Sequence, residues 1–231
     1  VSGPGQLALA FPPSVSHAEA DFVPGACSAE ARAWLGRWPD WPAGRLGLWG
    51  PEGAGKSHLA AVWAARAGAA RVPGAALARA EAPGLLGTLR HAAIEDADRL
   101  AGDADAERTL FHLLNLLAEA GGTALLTARA APARWPVALP DLRSRLAASG
   151  AVAIAAPDQA VLAAVLAKAL ADRQLAVEPA VLAYLVARLP RTFAAMQQAA
   201  ATLDRAALAA GRRITRALAA RLVAAHDNPE A

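Results

Sequence analysis

A single cysteine, Cys27, stands in a chain of 231 residues, which excludes a disulfide framework. Histidine is sparse as well. His17, His58, His91, His112 and His226 are scattered, and no Cys/His spacing resembles a zinc site. Aromatic residues make up only 5% of the chain against an apolar total of 55%, so alanine and leucine must fill the core. Long apolar runs are missing too, because arginine or aspartate interrupts each one, and no membrane span is expected. The start is Gly/Pro-rich without a basic region leading into an apolar one, so no signal peptide is expected and the default is a soluble cytoplasmic protein.

Lysine is the scarcest charged residue. Only Lys56 and Lys168 occur, and every other basic side chain except histidine is arginine. Lys56 lies in Gly50-Pro51-Glu52-Gly53-Ala54-Gly55-Lys56-Ser57, a complete phosphate-binding loop. The glycines let backbone N–H groups turn inward, Lys56 reaches the β/γ oxygens as a compact charge, and Ser57 supplies a hydroxyl for Mg²⁺. Arg45–Trp49 reads as a buried strand before the loop and Lys56–Ala67 as a helix after it, with the helix N-terminus facing the anion. The pattern predicts a nucleotide site.

Around that motif the chain alternates. Phe22-Val23-Pro24-Gly25 leads into a helix carrying Trp34 and Trp38, residues 70–72 form a short strand, and residues 73–89 are too rich in Ala, Gly and Pro to assign. His91–Ile94 reads as a strand ending in Glu95-Asp96, and Asp105–Ala120 as an amphipathic helix. Thr123–Thr127 is a strand, Leu139–Ser149 a short helix and Ala151–Ile154 the last strand. Helices at about 158–172, 178–189, 191–210 and 215–226 follow, with Pro179 and Pro190 at helix starts. The expected architecture is α/β: a tail over 1–16, a parallel-sheet nucleotide-binding domain over 17–156, and a small α-helical domain over 157–231. From Pro157 onward nine basic residues meet six acidic ones, so the net charge of +3 resides there, with Arg212, Arg213, Arg216 and Arg221 clustered. A solvated helix face explains this more simply than a DNA surface does.

Nucleotide hydrolysis at such a loop needs a carboxylate at a neighbouring strand end, which is where Glu95-Asp96 falls. With Ile94-Glu95-Asp96-Ala97 in place, the chain resembles the AAA+ ATPases of the DnaA branch and, within them, the short Hda-type regulators of that initiator. The resemblance implies an AAA+ P-loop domain followed by an α-helical lid. It makes Phe22, Val23 and Gly25 the segment against adenine, and Gly53, Ala54, Gly55, Lys56, Ser57 and His58 the phosphate contacts. Ser57 and Glu95 would hold Mg²⁺, with Glu95 and Asp96 as the acidic pair. Leu139-Pro140-Asp141-Leu142-Arg143-Ser144-Arg145-Leu146 is similar to the family's arginine-finger box, with Arg145 as the finger. Pro190-Arg191-Thr192-Phe193 resembles the start of the helix that carries the second sensor arginine, here Arg191.

Gln6-Leu7-Ala8-Leu9-Ala10-Phe11 resembles the peptide by which Hda-type proteins dock on the bacterial sliding clamp, through Gln6, Leu7, Leu9 and Phe11. Two positions depart from the pattern. Glu95 replaces the usual aspartate, and Arg129 in Thr127-Ala128-Arg129 stands where aspartate is usual. Both put self-catalysed hydrolysis in doubt and leave nucleotide binding intact.

The resemblance therefore implies a protein that binds ADP or ATP with Mg²⁺ and turns over little itself. It would reach DNA indirectly through the clamp, in the cytoplasm near the nucleoid, and supply Arg145 to ATP-bound DnaA. Self-association is open. The rivals are an ATPase of the helicase-loader kind and a DNA-binding initiator fragment.

Overall fold

The computed structural model describes residues 23, 25–210 and 214–227. Five strands, β1 (Arg45–Trp49), β2 (Ala70–Pro73), β3 (His91–Glu95), β4 (Thr123–Ala128) and β5 (Gly150–Ala153), form one sheet in the order β2-β3-β4-β1-β5. All four pairings are parallel. Parallel strands need crossovers, and helices supply them. They are α1 (Ala29–Gly36) ahead of the sheet, then α2 (Lys56–Ala67), α3 (Ala82–Leu86), α4 (Ala104–Glu119) and α5 (Pro140–Ala147).

Strand alternation divides the core in two. Leu46, Leu48, Ala93, Leu125 and Val152 face α1 and α2, whereas Ala92, Ile94, Ala124 and Leu126 face α3, α4 and α5. Burying both faces explains why β4 is apolar throughout except for two threonines, each buried. Trp38, Trp41 and Trp63 close the first core beside α2, with ring centroids 6.3 Å (Trp38–Trp63) and 5.2 Å (Trp41–Trp63) apart. Charge enters the second core at Glu107 of α4, which is 1% exposed.

Four more helices, α6 (Gln159–Ala171), α7 (Pro179–Arg188), α8 (Phe193–Ala210) and α9 (Arg216–Asp227), pack around a third core of Leu162, Leu166, Leu185, Met196 and Leu203. The α/β unit with a helical domain after it is as expected. Pro179 occupies the first turn of α7, but α8 starts at Phe193, so Pro190 belongs to the preceding connection. Thr192 is the reason, since its Oγ1 accepts from Ala195 N at 3.1 Å and caps the helix there. The unassigned stretch 73–89 holds a single turn of 3₁₀-helix and α3, both too short to show periodicity. Arg216 and Arg221 are exposed on α9, whereas Arg212 and Arg213 lie outside the described residues.

Candidate nucleotide site

The loop between β1 and α2 has the conformation its glycines allow. Gly53 and Gly55 adopt φ of 74° and 91°, a region that side-chain-bearing residues rarely enter. A Cβ at Gly53 would stand 2.4 Å from Thr192 Cγ2, and one at Gly55 would stand 2.9 Å from Phe193 Cε2. The start of α8 therefore lies directly on the loop, and Phe193 N–H also points at Gly53 O, 3.4 Å away. At the head of α2 the first amides have no intrahelical acceptor, as at every helix start, and Leu59 N–H to Gly55 O at 3.1 Å opens the ladder. Glycine-shaped backbone, amides at a helix N-terminus and a lysine are the donor set a polyphosphate requires.

Lys56 is 7% exposed, and its Nζ donates to the carbonyls of Gly50 at 2.9 Å and Pro51 at 2.8 Å. Burial pushes its pKa below the lysine range. The carboxylates of Asp96 and Asp98 oppose that shift, the Arg129 guanidinium adds to it, and Glu52 opposes it. Ser57 is exposed at the second position of α2, and Ala54 and His58 flank the loop, buried and half-buried.

The acidic pair at the end of β3 divides between two tasks. Glu95 Oε1 accepts from Arg71 Nε at 3.0 Å and from Arg71 Nη2 at 2.6 Å, so the neighbouring strand β2 holds it. Asp96 turns back at φ 51°, with its N–H donated to Thr127 Oγ1 at 3.0 Å, and its charge is felt at Lys56. Thr127 is fully buried, which fixes that turn. Among the described residues no group of three or more His, Cys, Asp or Glu side chains could hold a metal ion. The Asp96 and Asp98 carboxylates act electrostatically on Lys56, and with the Ser57 hydroxyl at the second position of α2 they are oxygen donors of the type Mg²⁺ takes when it is shared with phosphate oxygens.

Arg129 turns toward the loop. Gly50 N–H donates to Ala128 O at 3.1 Å, the Arg129 N–H donates to Asp98 Oδ2 at 2.9 Å, and Arg129 Nη2 lies 2.5 Å from Glu52 Oε2. Glu52, Asp98 and Arg71 are site neighbours that the motif alone did not expose. The first belongs to the variable part of the loop, the second returns through the turn at Asp96, and the third comes from another strand.

The segment around Val23 and Gly25 packs against the helical domain. Val23 and Cys27 pack on the third core, a Cβ at Gly25 would stand 2.3 Å from Val161 Cγ2, and Ala155 N–H donates to Cys27 O at 3.1 Å. Phe22 and the peptide Gln6, Leu7, Leu9 and Phe11 lie outside the described residues. Arg191 is exposed, next to Thr192 on the loop.

Arg145 lies apart from all of these. It is on α5 with its guanidinium carbon 4.9 Å from the centre of the Phe111 ring. Its carbonyl accepts from Ser149 Oγ at 2.9 Å, and Ser149 Oγ in turn accepts from Arg45 Nε at 3.3 Å. Burial lowers the pKa of Arg45, and the nearby Arg145 charge adds to that. Arg45 opens β1 and Gly50 follows its end, so about 17 Å of strand separates the Arg145 end of the sheet from the loop. Glu107 steadies the approach to α5, accepting from Gly102 N at 3.0 Å, Ala138 N at 2.9 Å and Leu139 N at 2.8 Å.

A parallel sheet with a glycine loop, an acidic strand end and a helical domain on the loop is the AAA+ P-loop fold. Residues 158–219 match the family described as "Hda, lid domain". The structure is similar to domain III of the Thermotoga maritima replication initiation protein DnaA, with a TM-score of 0.77 and 16% identity over 90% of this chain and 96% of that one. It is also similar to AMPPCP-bound DnaA from Aquifex aeolicus (TM-score 0.64, 17% identity, 77% of this chain and 62% of that one). The Thermotoga maritima RuvB Holliday junction branch migration motor gives 0.59 and 17%, over 77% and 60%. Comparison of the sequence with curated proteins found no match. The family match spans the helical domain, and the likeness to DnaA over the rest of the chain is one of fold.

Proposed function

We propose that the chain is a nucleotide-bound negative regulator of replication initiation that stimulates hydrolysis of ATP held by DnaA. One observation carries this reading: Arg145 stands at the end of the sheet opposite the chain's own phosphate loop. An arginine there has no route to its own nucleotide and is placed to enter a neighbour's. An arginine supplied in trans stabilises the charge of phosphoryl transfer by about 10³–10⁵ in rate. Arg71 on Glu95 and Arg129 in place of an acid both favour weak turnover at the chain's own site.

On this reading Lys56 and the loop amides hold ADP or ATP, and Ser57 with Asp96 faces a shared Mg²⁺. Glu95 joins the metal site only when Arg71 releases it. Val23 and Gly25 line the base, and Arg191 couples phosphate to the lid. Gln6, Leu7, Leu9 and Phe11 dock on the sliding clamp, which brings the protein to DNA. The acceptor of Arg145 is DnaA in this proposal, and a helicase loader would act on another partner.

The test incubates ATP-loaded DnaA with clamp-loaded DNA, with and without this chain, and follows conversion to ADP. Acceleration that Arg145→Ala removes, and that deletion of residues 6–11 weakens, is the expected result. No acceleration, or acceleration unchanged by Arg145→Ala, overturns the proposal.

A further inference from the structure

We infer that Arg129 and Glu52 form a switch that distinguishes a nucleoside triphosphate from a diphosphate, with the terminal phosphate taking Arg129 away from Glu52. The inference rests on the nucleotide-binding reading of the loop. Backbone register brings Arg129 there: Trp49 pairs with Ala128 across β1 and β4, and Gly50 N–H donates to Ala128 O at 3.1 Å. Asp98 Oδ2 then holds the Arg129 N–H at 2.9 Å, so the side chain leaves the strand end beside the loop.

The guanidinium finds a carboxylate from the loop itself, with Nη2 2.5 Å from Glu52 Oε2. Their side chains are 57% and 78% exposed, and an ion pair so open to water contributes little stability and exchanges partners readily. Arg129 also acts electrostatically on Lys56, the residue that meets the β/γ oxygens of a bound nucleotide.

A diphosphate is served by the loop amides and Lys56. A terminal phosphate brings further negative charge to the side that Lys56 reaches, where Glu52 repels it and Arg129 attracts it. A guanidinium matches phosphate oxygens in a planar fork, and the phosphate carries more charge than a carboxylate does. Arg129 therefore leaves Glu52, and Glu52 sets how strongly the site resists the triphosphate. An aspartate in place of Arg129 could not make this exchange.

Calorimetric titration of the full chain with ADP and with AMPPCP, both in Mg²⁺, tests the switch. Arg129→Ala should weaken AMPPCP about tenfold while changing ADP by less than about threefold. Glu52→Gln should tighten AMPPCP by about threefold or more, and the gain should vanish when Arg129→Ala is added. Arg129→Lys keeps the charge without the fork and should fall between wild type and alanine. Equal effects of Arg129→Ala on the two ligands, no effect on either, or a Glu52→Gln gain that survives without Arg129 would overturn the inference. Lys56→Ala separates this from the underlying reading, because it should abolish binding of both ligands. A wild-type chain that binds neither nucleotide overturns both.

Discussion

Glu107→Gln should destabilise the protein by roughly 3–5 kcal/mol, and the magnitude follows from the hydrogen bonds around one buried carboxylate. Glu107 is 1% exposed, and its two oxygens accept from the amides of Gly102, Ala138 and Leu139. Burial alone would push this carboxyl up. The three amides and Arg143 outweigh that and hold it below its ordinary range. Glutamine keeps one acceptor oxygen and turns an NH₂ toward an amide that has only a proton to offer. The orphaned amide costs about 1–3 kcal/mol, and loss of charge weakens the remaining bonds by roughly half. In a chain of this size each kcal/mol moves Tm by about 2–4 °C, so the expected fall is about 6–20 °C.

The assay is thermal unfolding by circular dichroism, with hydrogen exchange at Ala138 and Leu139. The sign of the acid response follows from the same carboxylate. Below its ordinary pKa the unfolded chain takes up a proton that the folded chain resists, so wild-type stability falls as pH drops through the folded value. The glutamine variant lacks that part of the fall. A Tm change under about 2 °C with unchanged amide protection would refute the reasoning. Because the amides of Ala138 and Leu139 lead into α5, the variant should also weaken whatever Arg145 does.

Three further outcomes are expected. Gly53→Ala places a methyl at φ 74° and 2.4 Å from Thr192 Cγ2, so nucleotide affinity should fall more than tenfold in calorimetry while the sheet remains folded by circular dichroism. Arg71→Ala frees Glu95 from an exposed pair, so stability should change by less than about 1 kcal/mol while Mg²⁺-dependent ATP turnover by the chain itself rises in a phosphate-release assay. His91 Nδ1 accepts from Thr123 N–H at 3.1 Å, and its pKa is pushed down by burial and then by Arg90. Protonation favours the unfolded chain, so unfolding free energy should fall as pH drops below the ordinary histidine value of about 6.5, and less so in His91→Gln.

The phosphate loop was legible because its glycines have a local cause, a backbone that only glycine adopts, and because a strand and a helix flank it. The helical domain was legible from helical periodicity, apart from the start of α8, where a threonine cap decided between Arg191 and Phe193. The fate of Glu95 was not legible. Motif spacing put it beside the loop, but its partner Arg71 is 24 residues away on another strand, and only sheet register brings them together. Arg129 shows the same limit, since its direction depended on Glu52 across the site. Glu107 gave no motif at all, because three backbone amides from two loops meet there and no side-chain pattern announces them.

The seat of Thr192 and Phe193 on the loop gives α8 a lever's geometry. The eighteen residues of the helix span about 27 Å, and one end is fulcrumed on Gly53 and Gly55. A tilt of about 10° at that fulcrum carries the far end through about 5 Å. Because α6, α7 and α9 share one core with α8, they travel with it. A small rotation at the loop would thereby be magnified, across the breadth of the helical domain, into a displacement large enough to alter what that surface can touch.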